Sequence, residues 1–152
     1  GFAILGAVYT AFLFAQARAR DLWQTPIQSA IHMLIHAVIA GSVVLMFITP
    51  DMVMVFKDLL LWVVLANIII MAKEIITPHN TPDTKKAIQL MTKGYYSKYL
   101  WSGIIIGTVV PIVILNVVSD GPIVLMAGGC ALFGILLTEH VRIRVPQLIP
   151  LS

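Results

Sequence analysis

The sequence predicts an all-α integral membrane protein with five transmembrane helices, and three observations carry that expectation. Hydrophobic residues make up 59% of the 152 residues and charged ones only 11%, with a mean hydropathy of +0.96, whereas a soluble domain has about a quarter of its residues charged. The apolar residues are also gathered into runs close to the roughly 20 residues that a helix needs to cross the hydrocarbon. Between the runs stand the charges, prolines and glycines that end helices. This composition excludes a soluble enzyme. The single cysteine, Cys130, lies inside an apolar run and has no partner, which excludes a disulfide scaffold or a structural zinc site.

The runs extend over about Gly1 to Ala17, Ile27 to Thr49, Leu59 to Ile76, Tyr99 to Val118 and Ile123 to Val141. Arg18, Arg20 and Asp21 close the first, Pro50-Asp51 the second, and Ser119-Asp120-Gly121-Pro122 makes a tight turn after the fourth. The long connection over 77–98 holds a short surface helix that starts at Thr81-Pro82-Asp83-Thr84 and stops at Gly94, with Ile88, Leu90 and Met91 turned to the membrane interface. Pro111 lacks an amide hydrogen in the middle of the fourth run and predicts a kink that frees the carbonyl of Gly107. Small residues four apart, Ala3 to Ala15, Ala37 with Gly41, and Gly103 with Gly107, mark faces on which membrane helices approach closely.

Basic residues set the orientation. Arg18, Arg20, Lys73, Lys85, Lys86, Lys93, Lys98, Arg142 and Arg144 fall on one side and Lys57 alone on the other, which puts the 77–98 loop and the C-terminus in the cytoplasm of a bacterial or archaeal cell. The pI near 9.2 is thereby explained by membrane orientation, and nucleic acid is set aside as a partner. Gly1 already lies in an apolar stretch, so earlier helices are expected ahead of it.

Ionisable groups within a span are expensive and are functional candidates. Gln28, His32 and His36 are spaced by four along the second run, one stripe that leads inward from the cytoplasmic end. Glu74 ends the third run and Glu139 and His140 end the fifth, at the mouth of that stripe, while Asn67 lies in mid-span. Three readings stand beside one another: interhelical hydrogen bonding, a proton path, and b-type haem ligation, for which only His32 and His140 offer a pair at similar depth.

The stretch Ala7-Val8-Tyr9-Thr10-Ala11-Phe12-Leu13-Phe14-Ala15, followed by Arg20-Asp21-Leu22-Trp23-Gln24-Thr25-Pro26 and by Ala37 to Gly41, resembles the central signature of the NrfD-like family, the membrane subunits of polysulfide-reductase-type complexes. Trp101 through Gly107 to Pro111 is similar to a later helix of that family. The resemblance implies an eight-helix core of two four-helix bundles, of which 1–17 is the last helix of the first bundle and 18–152 the second. It implies a quinone-interacting subunit of a respiratory oxidoreductase that exchanges electrons between membrane quinone, menaquinone or ubiquinone, and an outward-facing ferredoxin-like iron-sulfur subunit, with a molybdenum or multihaem catalytic subunit beyond it. Tyr9 matches the family's quinone-contact tyrosine, although Ala11 replaces the usual glycine. No catalytic residue, metal ligand, haem or iron-sulfur cluster is expected in this chain. A proton-translocating or transporter bundle without redox role, or a pure anchor, is the rival expectation.

Overall fold

A computed structural model describes residues 4–6, 8, 9, 13, 26–77, 82–119 and 121–148. Of the first predicted helix, Ile4 to Gly6, Val8, Tyr9 and Leu13 are helical, and the remainder of that span, with the Arg18 to Thr25 loop, lies outside the described residues. Six α-helices follow: α1 over Pro26–Ile48, α2 over Val53–Ile76, α3 over Pro82–Thr92, α4 over Ser97–Ile104, α5 over Val110–Val117 and α6 over Gly121–Gln147. A 3-10 turn at Pro50–Met52 leads into α2, and a π turn at Ile105–Val109 joins α4 to α5 in one continuous rod. Four of the resulting helices are long and apolar enough to cross a membrane, and the described residues contain no strand. The chain is a multi-pass, all-α membrane protein.

The outer surface carries the signature of lipid contact. Phe47, Trp62, Ile69, Phe133 and Leu136 stand exposed along the spans, a coating that water would not tolerate over so large an area and that hydrocarbon accepts. Since lipid is as apolar as leucine, burial alone drives little helix association, and shape must hold the bundle. Its interior follows a repeat that averages 3.5 residues. On α6 the seam runs through Val124, Ala127, Ala131, Gly134, Thr138, Val141 and Val145, with Gly128, Arg142 and Pro146 buried beside it, and on α2 the buried positions are Val53, Lys57, Leu60, Val64, Asn67 and Met71. Alternating steps of three and four are the spacing that keeps one seam against a neighbouring helix along its whole length.

Two apolar clusters result. One, built on Ile39, Val43, Met46, Leu60, Val64, Leu115, Val124 and Ala127, fills the half away from the lysine-rich end. The other joins Met71, Leu100, Val141 and Val145 to Ala87 and Met91 of α3 at the lysine-rich end. α3 begins at Pro82, whose missing amide hydrogen suits a first helical position, and ends before Gly94, where a Cβ would meet the Leu90 carbonyl oxygen at 2.7 Å. It lays Thr84, Ala87 and Met91 on the bundle, while Leu90, expected at the interface beside Ile88 and Met91, turns outward.

Two boundaries and one turn differ from expectation. α2 starts six residues before Leu59, so Lys57 and Asp58 are helical rather than loop, and the Lys57 ammonium reaches the Ser119 hydroxyl at 3.4 Å. α6 runs on past Val141 through Arg142 and Pro146 to Gln147, because the Arg142 charge finds carboxylates inside the bundle. The Pro111 region answers its lost hydrogen bond with a π turn, in which the Val110 amide donates to the Ile105 carbonyl. There α4, the π turn and α6 come closest. A Cβ on Gly107 would land 2.5 Å from Gly134 Cα, and one on Gly103 would land 2.8 Å from the Thr138 methyl. The expected close face at Gly103 and Gly107 is therefore present, whereas Ala37 and Gly41 are exposed.

Candidate functional site

Between the two apolar clusters lies a layer of polar side chains from α1, α2 and α6. Steps of three and four along α1 place Ser29, His32, Ile39, Val43 and Met46 in its buried seam, with His36 half-buried between them. The histidines thus point into the bundle because they occupy seam positions. Their rings stack with centroids 4.2 Å apart and planes tilted by 59°.

Glu139 is the centre of the layer. Its Oε1 lies 3.3 Å from His36 Nδ1, 3.6 Å from an Arg142 terminal nitrogen and 4.0 Å from His32 Nδ1. On the other edge of the His36 ring, Nε2 stands 3.2 Å from Asn67 Oδ1. The Asn67 amide nitrogen in turn points to the Met71 sulfur at 3.8 Å, an arrangement that leaves Oδ1 as the acceptor and makes His36 Nε2 the donor. Arg142 Nε then reaches Glu74 Oε1 at 3.4 Å. The result is one unbroken row, Asn67, His36, Glu139, Arg142, Glu74, that runs from mid-helix in α2 to the lysine-rich end of the same helix by way of α1 and α6.

Charge is not balanced within that row. Two carboxylates, Glu74 and Glu139, face one guanidinium, Arg142, so with both carboxylates ionised and the imidazoles neutral the layer carries one net negative charge. A carboxylate oxygen and a ring nitrogen at 3.3 Å also need a positive centre between them, since the lone pairs otherwise oppose each other. His32 adds a second imbalance. It is 2% exposed, and neither of its ring nitrogens has a hydrogen-bond partner, because Glu139 at 4.0 Å is beyond hydrogen-bond reach. Beside it lies a cavity of about 20 Å³, open to the centre of a water molecule and walled by His32, Glu74, Glu139, Arg142 and, from α3, Ile88 and Met91. That is room for about one water.

The structure brings together His32, His36, Glu74 and Glu139 of the expected residues. Gln28 is half-buried one turn before His32. His140 is exposed, so His32 and His140 do not face each other as a haem pair would require. Tyr9 is 64% exposed and is not enclosed by the described residues, so this chain's described part does not by itself wall a quinone pocket around it. Arg142 was legible only as a tail cation, yet it is buried and bridges both carboxylates. The signal that could have found it is its spacing: Arg142 falls four residues after Thr138 and three after Glu139, on the inward side of α6. No family model matches this chain, and neither a curated protein nor a solved structure matches it.

Proposed function

We propose that the polar layer relays protons between the lysine-rich face of the membrane and the bundle interior, within the quinone-interacting membrane subunit of a respiratory oxidoreductase. The observation that carries the relay is the pairing of Glu139 with His36 at 3.3 Å beside a water-sized cavity that Glu74 and Glu139 both line, held in place by Arg142 between the two carboxylates and by Asn67 behind His36, while the guanidinium itself keeps its protons. In hydrocarbon such groups are costly and are kept where they face one another. Imidazole can accept a proton at one nitrogen and release one at the other near neutral pH, and a proton held between His36 Nδ1 and Glu139 removes the net negative charge of the layer. Arg142 keeps Glu139 oriented, and the water-sized cavity beside Glu74 and Glu139 is where a proton enters from the lysine-rich side. By the positive-inside rule that side is the cytoplasm.

The quinone setting is supported by the resemblance of the Tyr9 to Pro26 and Trp101 to Pro111 segments to the NrfD-like signature, and Tyr9 is its one candidate contact. An iron-sulfur partner subunit and a catalytic subunit belong to the same proposal. Proton uptake by the complex in proteoliposomes, compared between the natural protein and His36→Leu at matched turnover, tests the relay. Uptake from the lysine-rich side falls at least several-fold while electron transfer to quinone persists. An unchanged proton-to-electron stoichiometry removes the relay and leaves His36 as a hydrogen-bonding link between helices.

A further inference from the structure

His32, His36 and Glu139 each present one ligand atom, and those atoms all lie within 4.8 Å of one another. Tetrahedral zinc with bonds of about 2.0–2.2 Å holds its ligand atoms roughly 3.3–3.6 Å apart, and His36 Nδ1 and Glu139 Oε1 stand at 3.3 Å, His32 Nδ1 and Glu139 Oε1 at 4.0 Å. Histidines four apart on one helix face, with the remaining ligand from a facing helix, are a recurrent metal-binding arrangement. The orphaned His32 ring points the same way, because a buried imidazole with no partner on either nitrogen lacks the cation or donor its lone pair calls for.

The surroundings fit. Asn67 accepts from His36 Nε2 at 3.2 Å, which fixes the tautomer that leaves Nδ1 free to ligate, the usual task of a residue behind a metal-bound histidine. The layer's net negative charge favours a cation, and the cavity beside His32 and Glu139, about 20 Å³, has room for the water that completes a four-coordinate shell. The Arg142 guanidinium, 3.6 Å from Glu139, opposes a cation there, but it keeps Glu74 as its partner at 3.4 Å when Glu139 turns to the metal.

We infer that His32, His36 and Glu139 form a binding site for a divalent transition-metal ion of the zinc class. The inference does not depend on the proton relay. The two compete for one position, since a metal ion between His36 and Glu139 stands where the relayed proton would, and zinc is therefore an inhibitor of any relay through these groups.

Full-length protein purified in detergent and stripped with a chelator is titrated with Zn²⁺ alone by calorimetry and with Co²⁺ alone by visible absorbance. One equivalent of Zn²⁺ binds, and Co²⁺ gives the intense ligand-field bands of a tetrahedral ion. Glu139→Gln and His32→Ala lose that equivalent, Asn67→Ala weakens it by about 10–100-fold, and His140→Gln, altered at an exposed position, keeps it. Zinc binding that survives Glu139→Gln, a weak six-coordinate cobalt spectrum, or no stoichiometric binding to the natural protein overturns the site. Because the Co²⁺ spectrum is read on the unaltered chain, a variant that fails to fold does not decide the matter. Zinc binding with a proton stoichiometry indifferent to His36→Leu upholds the site and ends the relay; a relay with no zinc binding does the reverse.

Discussion

The half of the bundle around Leu60, Val64 and Leu115 and the half around His36, Glu139 and Arg142 are built by the same helices on the same seam, yet they are held by different forces. In the first, the packed cluster is apolar, with Ser42 and Lys57 as polar buried neighbours, and since the lipid outside is equally apolar, what binds the helices is contact at close range. In the second, polar groups pair with one another across helices, His32 excepted, and each partner's departure strands a charge or a donor. The close-packed rim between them, at Gly103, Gly107 and Gly134, belongs to the first kind. The difference teaches that in a membrane bundle stability is spread thinly over shape but concentrated in a few polar contacts.

That contrast ranks three substitutions. Arg142→Met leaves the half-buried Glu74 and Glu139 without their cation and destabilises by about 3 kcal/mol, read as a fall in unfolding midpoint in a single detergent. Arg142→Met with Glu74→Met recovers part of that loss, because an apolar pair in place of an ion pair is often neutral or better, while Glu139 still lacks its cation. A double variant no more stable than the single one breaks the account of the polar half.

Gly107→Ala comes next. Its methyl meets the Gly134 backbone, which cannot rotate away, and the separation of α6 from the π turn costs about 1–3 kcal/mol; a variant as stable as the natural protein would show that the seam there is loose. The smallest effect is expected for Asn67→Leu. One interhelical hydrogen bond in lipid contributes about 0.6 kcal/mol and at most roughly 1.7, so the midpoint shifts little. A loss larger than that of Gly107→Ala would invert the ranking and put Asn67, rather than Arg142, at the centre of the polar half.

The fold was largely legible in the sequence. Run length and punctuation placed four of the helices found here to within a few residues at most ends, and Pro82 and Gly94 marked the limits of α3. The errors share one cause. Lys57 and Arg142 were read as loop and tail residues because charge was taken to end a helix, whereas each side chain has a partner within the bundle, Ser119 for one and two carboxylates for the other. Hydrophobicity could not say which face of a helix turns inward, since lipid and core are both apolar. Small and polar residues could: Ser29, His32, Ser42, Asn67, Gly134 and Thr138 all lie on the seam, and their steps of three and four point His32 and Glu139 toward the same interior. Which groups pair, and that His140 turns away while its neighbour Glu139 turns in, depends on how the helices rotate against one another, and no single helix encodes that.

The π turn at Ile105–Val109 has a consequence for how this helix tolerates changes in length. Gly103, Gly107, Pro111 and Leu115, each four apart, are all buried, although in a straight α-helix of 3.6 residues per turn a spacing of four overshoots by about 40° at each step, roughly 120° over three. The wide turn holds one surplus residue and takes most of that drift back. A membrane helix ordinarily suffers from losing a residue, because everything beyond the gap swings by about 100° around the axis. Here the surplus is slack: deletion of Ile106 alone would let the rod relax to ordinary α-helix with Gly107, Pro111 and Leu115 still turned toward α6, while the same deletion at Val113, past the wide turn, would rotate Leu115 out of the interior.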